Sequence, residues 1–234
     1  MNKELRDELK REEAGDALQE ARGFLTSSEV VKPALAVIGL FLVLAGLYWG
    51  QKYRAASAES AFSRATEVFH AEVGSSASGE TFKTETEKYQ KAKTMFDAVA
   101  NSYGSMPAGR RARYYSALCL AEMGQITQAE ELLKPIAAIK DSSTVEPAMA
   151  RLRLADLALQ SGRAKDAAAS YQALIADDAS GLPKDRLVFG LAEALAAAGD
   201  RTAARQAYTD LVNRHPQSPY APDARVKMDA LAAL

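Results

Sequence analysis

His70 and His215 are the only histidines in the chain and Cys119 is its single cysteine. These are the first candidates for general-base, metal-ligating or nucleophilic work. His70 falls on a predicted helix and His215 in a turn beside Pro216, and neither stands in a sequence context for metal ligation or proton transfer. Cys119 lies between Leu118 and Leu120, which reads as a packed thiol rather than a nucleophile. The adjacent acids Asp177 and Asp178, and Glu130 and Glu131, point in different directions on a helix and read as solvated faces. No Gly-rich phosphate loop or nucleophile elbow occurs. The reading is therefore not an enzyme, with no metal, no cofactor and no small-molecule substrate. With 29 basic and 30 acidic residues the net charge is −1, which gives no field to gather nucleic acid. A lone cysteine makes no internal disulfide, so an apolar core must hold the fold in either redox compartment.

Residues 30–50, VVKPALAVIGLFLVLAGLYWG, are the one long apolar run. As a helix at about 1.5 Å per residue it reaches roughly 30 Å, the hydrocarbon thickness of a bilayer. Its only charge is Lys32, and Tyr48, Trp49 and Tyr53 suit an interface at the far end. The preceding residues carry many acids, and Lys52 and Arg54 separate the run from the small residues Ala56-Ser57-Ala58, so it reads as an uncleaved transmembrane anchor. Lys3, Arg6, Lys10, Arg11, Arg22 and Lys32 on one side outnumber Lys52, Arg54 and Arg64 on the other, a weak bias that favours a cytoplasmic N-terminus without fixing the orientation by itself. Gly46 and Gly50, four apart, form a candidate contact surface for another membrane helix. Residues 1–29 form a charged cytoplasmic segment in which Asp7 and Arg11, with Leu5 and Leu9, suit a surface helix.

The soluble part is organised by repetition. Gly124, Gly162 and Gly199 are 38 and 37 residues apart, and each is followed five positions later by alanine: Ala129, Ala167 and Ala204. Four residues on stand Leu133, Tyr171 and Tyr208, and seven on stand Ile136, Leu174 and Leu211. These positions share one helical face. Ala92, Phe96 and Val99 extend the frame upstream. Each unit reads as two helices: the glycine ends helix A and turns the chain, the alanine lets helix B approach closely, and the large residue fills the space between neighbours. Residues 51–234 form this helical domain, with units at about 55–103, 108–139, 145–177 and 183–214 and a cap at 219–233. Helix A is predicted at about 55–73, 108–123, 145–161 and 183–198, with a Gly/Ser loop at 74–80 and the first helix B at 85–103. No Pro or Gly interrupts 51–73, so the anchor helix is expected to continue unbroken into the first unit.

The Gly, Ala and aromatic positions, with Ala117, Ala155 and Ala192 seven before each glycine and Pro216 twelve after Ala204, resemble the tetratricopeptide repeat (TPR). A short cytoplasmic segment, one spanning helix and an array of such repeats resemble the ancillary SecYEG translocon subunit family, whose repeat domain is related to that of the cell division coordinator. The resemblance implies an all-α fold: a transmembrane helix, an α-solenoid of about four helix pairs and a C-terminal capping helix. It also implies a single-pass inner-membrane protein with a periplasmic C-terminal domain, and protein partners: translocon subunits, periplasmic folding factors or secreted clients. The function implied is a chaperone-like accessory factor at the translocon. The alternative is a structural scaffold that recruits an envelope-assembly or cell-division complex.

Stacked repeats line a groove with helix A side chains. The repeat frame places groove positions on Arg111, Tyr114, Leu118 and Glu122, on Met149, Leu152, Asp156 and Gln160, and on Arg186, Phe189 and Glu193. Tyr114, Met149, Leu152 and Phe189 are expected to receive apolar side chains of a client, and Arg111 and Arg186 its acidic or backbone groups. Leu152 and Phe189 read equally as inter-helix core. A repeat that clamps a terminal carboxylate needs asparagine where this frame has Asp156 and Glu193, which argues against that mode.

Overall fold

The computed structural model describes residues 15–20, 22–23, 28–74, 81–140 and 144–232. The predicted N-terminal surface helix around Asp7 and Arg11 and most of the 74–80 loop lie outside the described residues. The chain divides into two units, Met1–Ala56 and Ser57–Leu234. Among the described residues the secondary structure is helical, without strands.

Helix α1 (Ser28–His70) contains the apolar run and is 43 residues long. It is the one described helix long and apolar enough to cross a membrane, and its apolar stretch is not buried. Leu35, Phe41, Leu42 and Leu47 are all exposed. At the end of the run Tyr48 and Trp49 meet edge to face at 6.4 Å, and Lys52 places its ammonium over the Tyr48 ring at 5.7 Å. No heavy atom would touch a β-carbon at Gly46 or Gly50.

The second unit holds the end of α1 followed by α2 (Glu85–Ser102), α3 (Pro107–Glu122), α4 (Ile126–Ala137), α5 (Glu146–Gln160), α6 (Ala164–Ala176), a 3₁₀ turn at Asp178–Ser180, α7 (Lys184–Ala197), α8 (Arg201–Arg214) and α9 (Ala221–Ala232). Among the described residues successive helices pack on one another, giving four helix pairs closed by α9. The first helix A ends at His70, short of the expected 73, and the chain turns through Gly74 at φ 82°, whose N–H donates to the Phe82 carbonyl at 3.0 Å.

The repeat signature has a direct physical reading. Gly124, Gly162 and Gly199 have φ of 74°, 75° and 86°, the left-handed conformation that a β-carbon disfavours. After each, the next amide reaches back five residues: Gln125 N–H to the Leu120 carbonyl at 2.9 Å, Arg163 to Ala158 at 2.8 Å and Asp200 to Leu195 at 3.0 Å. One closure therefore satisfies the last carbonyls of three A helices and sets the same turn into helix B. The frame alanines Ala92, Ala129, Ala167 and Ala204 are wholly buried, and Phe96, Leu133, Tyr171 and Tyr208 are buried beside them. Small residues bring the helix axes close, and large ones fill what remains.

The N-terminal joint is aromatic. Phe62 of α1, Phe96 of α2 and Tyr115 of α3 meet pairwise at 5.1–5.6 Å between ring centres, and Phe69 lies 5.6 Å from Tyr115. Cys119 is fully buried in the same core, and burial pushes its thiol from 9.0 up to about 12. It is a packed side chain, as its apolar neighbours imply.

Candidate binding face of the repeat domain

In the second to fourth units helix A presents its face through residues held by the turn before it and by the closure after it. Along this face, four ion pairs each join one A helix to the next element of its kind. Glu59 of α1 meets Arg111 of α3 at 2.5 Å. Glu122 of α3 meets Arg153 of α5 at 2.8 Å, and Asp156 of α5 meets Arg186 of α7 at 2.7 Å. Glu193 of α7 meets Lys227 of α9 at 2.8 Å. The charged positions projected from the sequence, Arg111, Glu122, Asp156, Arg186 and Glu193, are thus all engaged within the wall. Arg111 also stacks its guanidinium over the Phe62 ring at 4.6 Å, and Lys227 lies over Phe189 at 5.7 Å.

Two carboxylates carry a second partner. The Tyr171 hydroxyl of α6 donates to Asp156, and the Tyr208 hydroxyl of α8 donates to Glu193. Tyr and acid are separated by 15 residues in both units, so the same triad of hydroxyl, carboxylate and cation recurs at successive joints. In the preceding unit the equivalent positions are Leu118 and Leu133, both packed in one apolar cluster. Polar and apolar versions of one joint therefore coexist in the same solenoid. The sequence reading left out Glu59, Arg153 and Lys227. For the Tyr171 and Tyr208 hydroxyls, also missed, the available signal is their shared 15-residue spacing from Asp156 and Glu193.

The remaining projected residues divide by exposure. Tyr114 is only 7% exposed, so its side chain belongs to the core rather than to a receiving surface. Burial pushes its hydroxyl up to about 12. Leu118, Met149 and Leu152 are half-buried, their inner sides packed on the cores beneath. Phe189 stacks on Tyr220 at 5.0 Å and is also half-buried, and Gln160 is exposed. Among the described residues no three His, Cys, Asp or Glu side chains stand close enough to hold a metal ion.

Gly190 of α7 owes its identity to the Asp156 triad. A β-carbon there would stand 2.4 Å from Tyr171 Cε1 and 2.5 Å from its Cζ. In an open helix Gly→Ala stabilises by about 1 kcal/mol, but displacing a ring held by Asp156 costs roughly 1–3 kcal/mol. Gly190→Ala is expected to lower the urea midpoint; an unchanged or raised midpoint would show that the ring can move aside.

The buried hydroxyls and thiol also set an alkaline limit. Burial, followed by the neighbouring carboxylates, raises Tyr171 and Tyr208 above their usual 10.0, and Tyr114 and Cys119 are raised as described. The folded protein keeps these protons where the unfolded chain releases them. For Cys119 and Tyr114 this contribution is complete below the unfolded values of 9.0 and 10.0 and is lost as pH rises through the folded values near 12, and Tyr171 and Tyr208 act in the same direction. Urea midpoints should therefore fall steadily above about pH 9, and iodoacetamide should label Cys119 only after unfolding.

These repeated helix pairs, closures and buried alanines define a TPR-like solenoid, a class that typically serves as a non-catalytic protein-interaction scaffold. The sequence profile of the tetratricopeptide repeat-like domain family matches residues 31–233, and the chain belongs to that family. Among curated proteins no sequence matches it. Among solved structures it is similar to the TPR-like repeats of a kinesin light chain from Podosopora anserina, with a TM-score of 0.58 and 16% identity over 76% of this chain and 86% of that one. A single-substitution variant of that protein gives the same TM-score and identity over 76% and 85% of the two chains. At this identity the likeness concerns the fold.

Proposed function

We propose that this protein is a single-pass inner-membrane protein whose repeat domain binds protein segments on the periplasmic side, as a chaperone-like accessory factor at the Sec translocon. Residues 1–29 are read as the cytoplasmic segment, 30–50 as the anchor and 51–234 as the binding domain. The observation that carries the reading is the exposed apolar stretch of α1 on the same chain as a TPR-like solenoid. An unburied apolar surface of that length is costly in water and favourable in a bilayer. The solenoid supports binding of a protein segment, since extended helix A faces serve that purpose in repeat proteins.

Crosslinking in intact membranes followed by identification of captured proteins tests the partner. Channel subunits, periplasmic folding factors or secreted chains are expected. Capture of division or wall-synthesis proteins instead would replace the accessory role with the scaffold role. Protease added outside spheroplasts should digest the repeat domain, and full protection would reverse the assigned orientation.

A further inference from the structure

We propose that the protein segment received by the helix A face is uncharged and is recognised through apolar side chains. The inference rests on the reading that this face binds a protein segment, and it names that segment's chemistry.

The argument is one of charge complementarity. Arg111, Glu122, Asp156, Arg186 and Glu193 are each paired with a residue of a neighbouring helix at 2.5–2.8 Å. An incoming carboxylate would have to displace Asp156 from Arg186, and an incoming ammonium would have to displace Arg186 from Asp156. Either exchange leaves a partly buried wall charge without its partner, so the new pair gains little over the old one. Asp156 and Glu193 are further held by the Tyr171 and Tyr208 hydroxyls, which a ligand would also have to replace. Between the pairs, Leu118, Met149 and Leu152 keep part of their surface open. Covering that surface needs no exchange of charges. An apolar side chain is therefore the group this wall accepts at least cost.

Three fluorescent 12-residue peptides on one Ser/Gly scaffold, bearing Leu and Phe, Asp and Glu, or Lys and Arg, separate the possibilities. They are titrated against the full chain in zwitterionic nanodiscs, with empty nanodiscs as reference. The Leu/Phe peptide should bind most tightly, with affinity changing less than about twofold between 50 and 500 mM NaCl, because screening acts on charge and not on apolar contact. Met149→Lys should weaken it about tenfold by placing a charge among those contacts. Asp156→Asn keeps an acceptor for Tyr171 but leaves Arg186 without its counter-charge, so the acidic peptide should gain about tenfold.

Tighter binding of a charged peptide, a steep salt dependence, or no gain in Asp156→Asn would overturn the proposal while leaving the face as a binding site. Absence of binding by all three peptides, or binding untouched by Met149→Lys, would overturn both the proposal and the reading beneath it.

Discussion

Gly109→Ala is expected to be among the most damaging single-methyl changes in this protein. Gly109 sits in the first turn of α3, and a β-carbon there would lie 1.9 Å from the Tyr103 carbonyl oxygen and 2.8 Å from the Gly104 nitrogen. Those atoms are backbone, so no rotamer change relieves the overlap. The 103–106 turn must open instead, and with it the Met106 N–H bond to the Tyr103 carbonyl at 2.8 Å. The same shift moves Ala108 and Ala112 out of the aromatic core that joins α1, α2 and α3. Helix propensity alone would make Ala better than Gly by about 1 kcal/mol, and overpacking against backbone outweighs it, for a net loss of about 3 kcal/mol. For a chain of this size that lowers Tm by roughly 6–12 °C. Gly162→Ala provides the contrast: no atom lies within 4 Å, and only the φ of 75° is strained. Its loss should be about 1 kcal/mol. If the two variants melt together, the close approach of α3 to the 103–106 turn is not what Gly109 serves.

The difference between these glycines shows which features a sequence carries openly. Gly124, Gly162 and Gly199 were legible because they recur with a buried alanine five positions on, and recurrence separates a required conformation from a chance residue. Gly109 and Gly190 sit inside helices, where a glycine has no periodic signature, and their reason is a neighbour that arrives from another helix. The same limit applies to charge. Arg111 and Arg186 could be placed on the helix A face by the repeat frame, but a side chain that awaits a partner and one already paired look alike in sequence. Their partners Glu59 and Asp156 stand 52 and 30 residues away, on helices whose relative rotation depends on the packing of the whole stack. Tyr114 departs from its expected place for a related reason: its aromatic type suits a binding surface, yet its turn of α3 faces the core shared with Ala117 and Leu133.

The Asp156 joint should behave as a coupled unit rather than a sum of contacts. Asp156→Leu removes the acceptor for the buried Tyr171 hydroxyl and the counter-charge for Arg186, whose side chain is 28% exposed. Leaving a buried donor and a half-buried guanidinium without their acceptor costs about 3 kcal/mol. Tyr171→Phe alone is milder, about 1 kcal/mol, because Asp156 keeps Arg186. Once Asp156 is Leu, Tyr171→Phe removes a donor that has nothing left to bond, so the second change should be neutral or favourable. The double variant should therefore be more stable than additivity predicts by about 1–2 kcal/mol. The preceding unit shows why an apolar joint is viable, since Leu118 and Leu133 occupy these positions in one packed cluster. Strict additivity in urea unfolding would mean that the hydroxyl and the carboxylate are not energetically linked, and the triad would then be an accident of proximity. Coupling confined to this joint, with Leu118 and Leu133 variants adding independently of it, would fit a solenoid in which each interface contributes its own term.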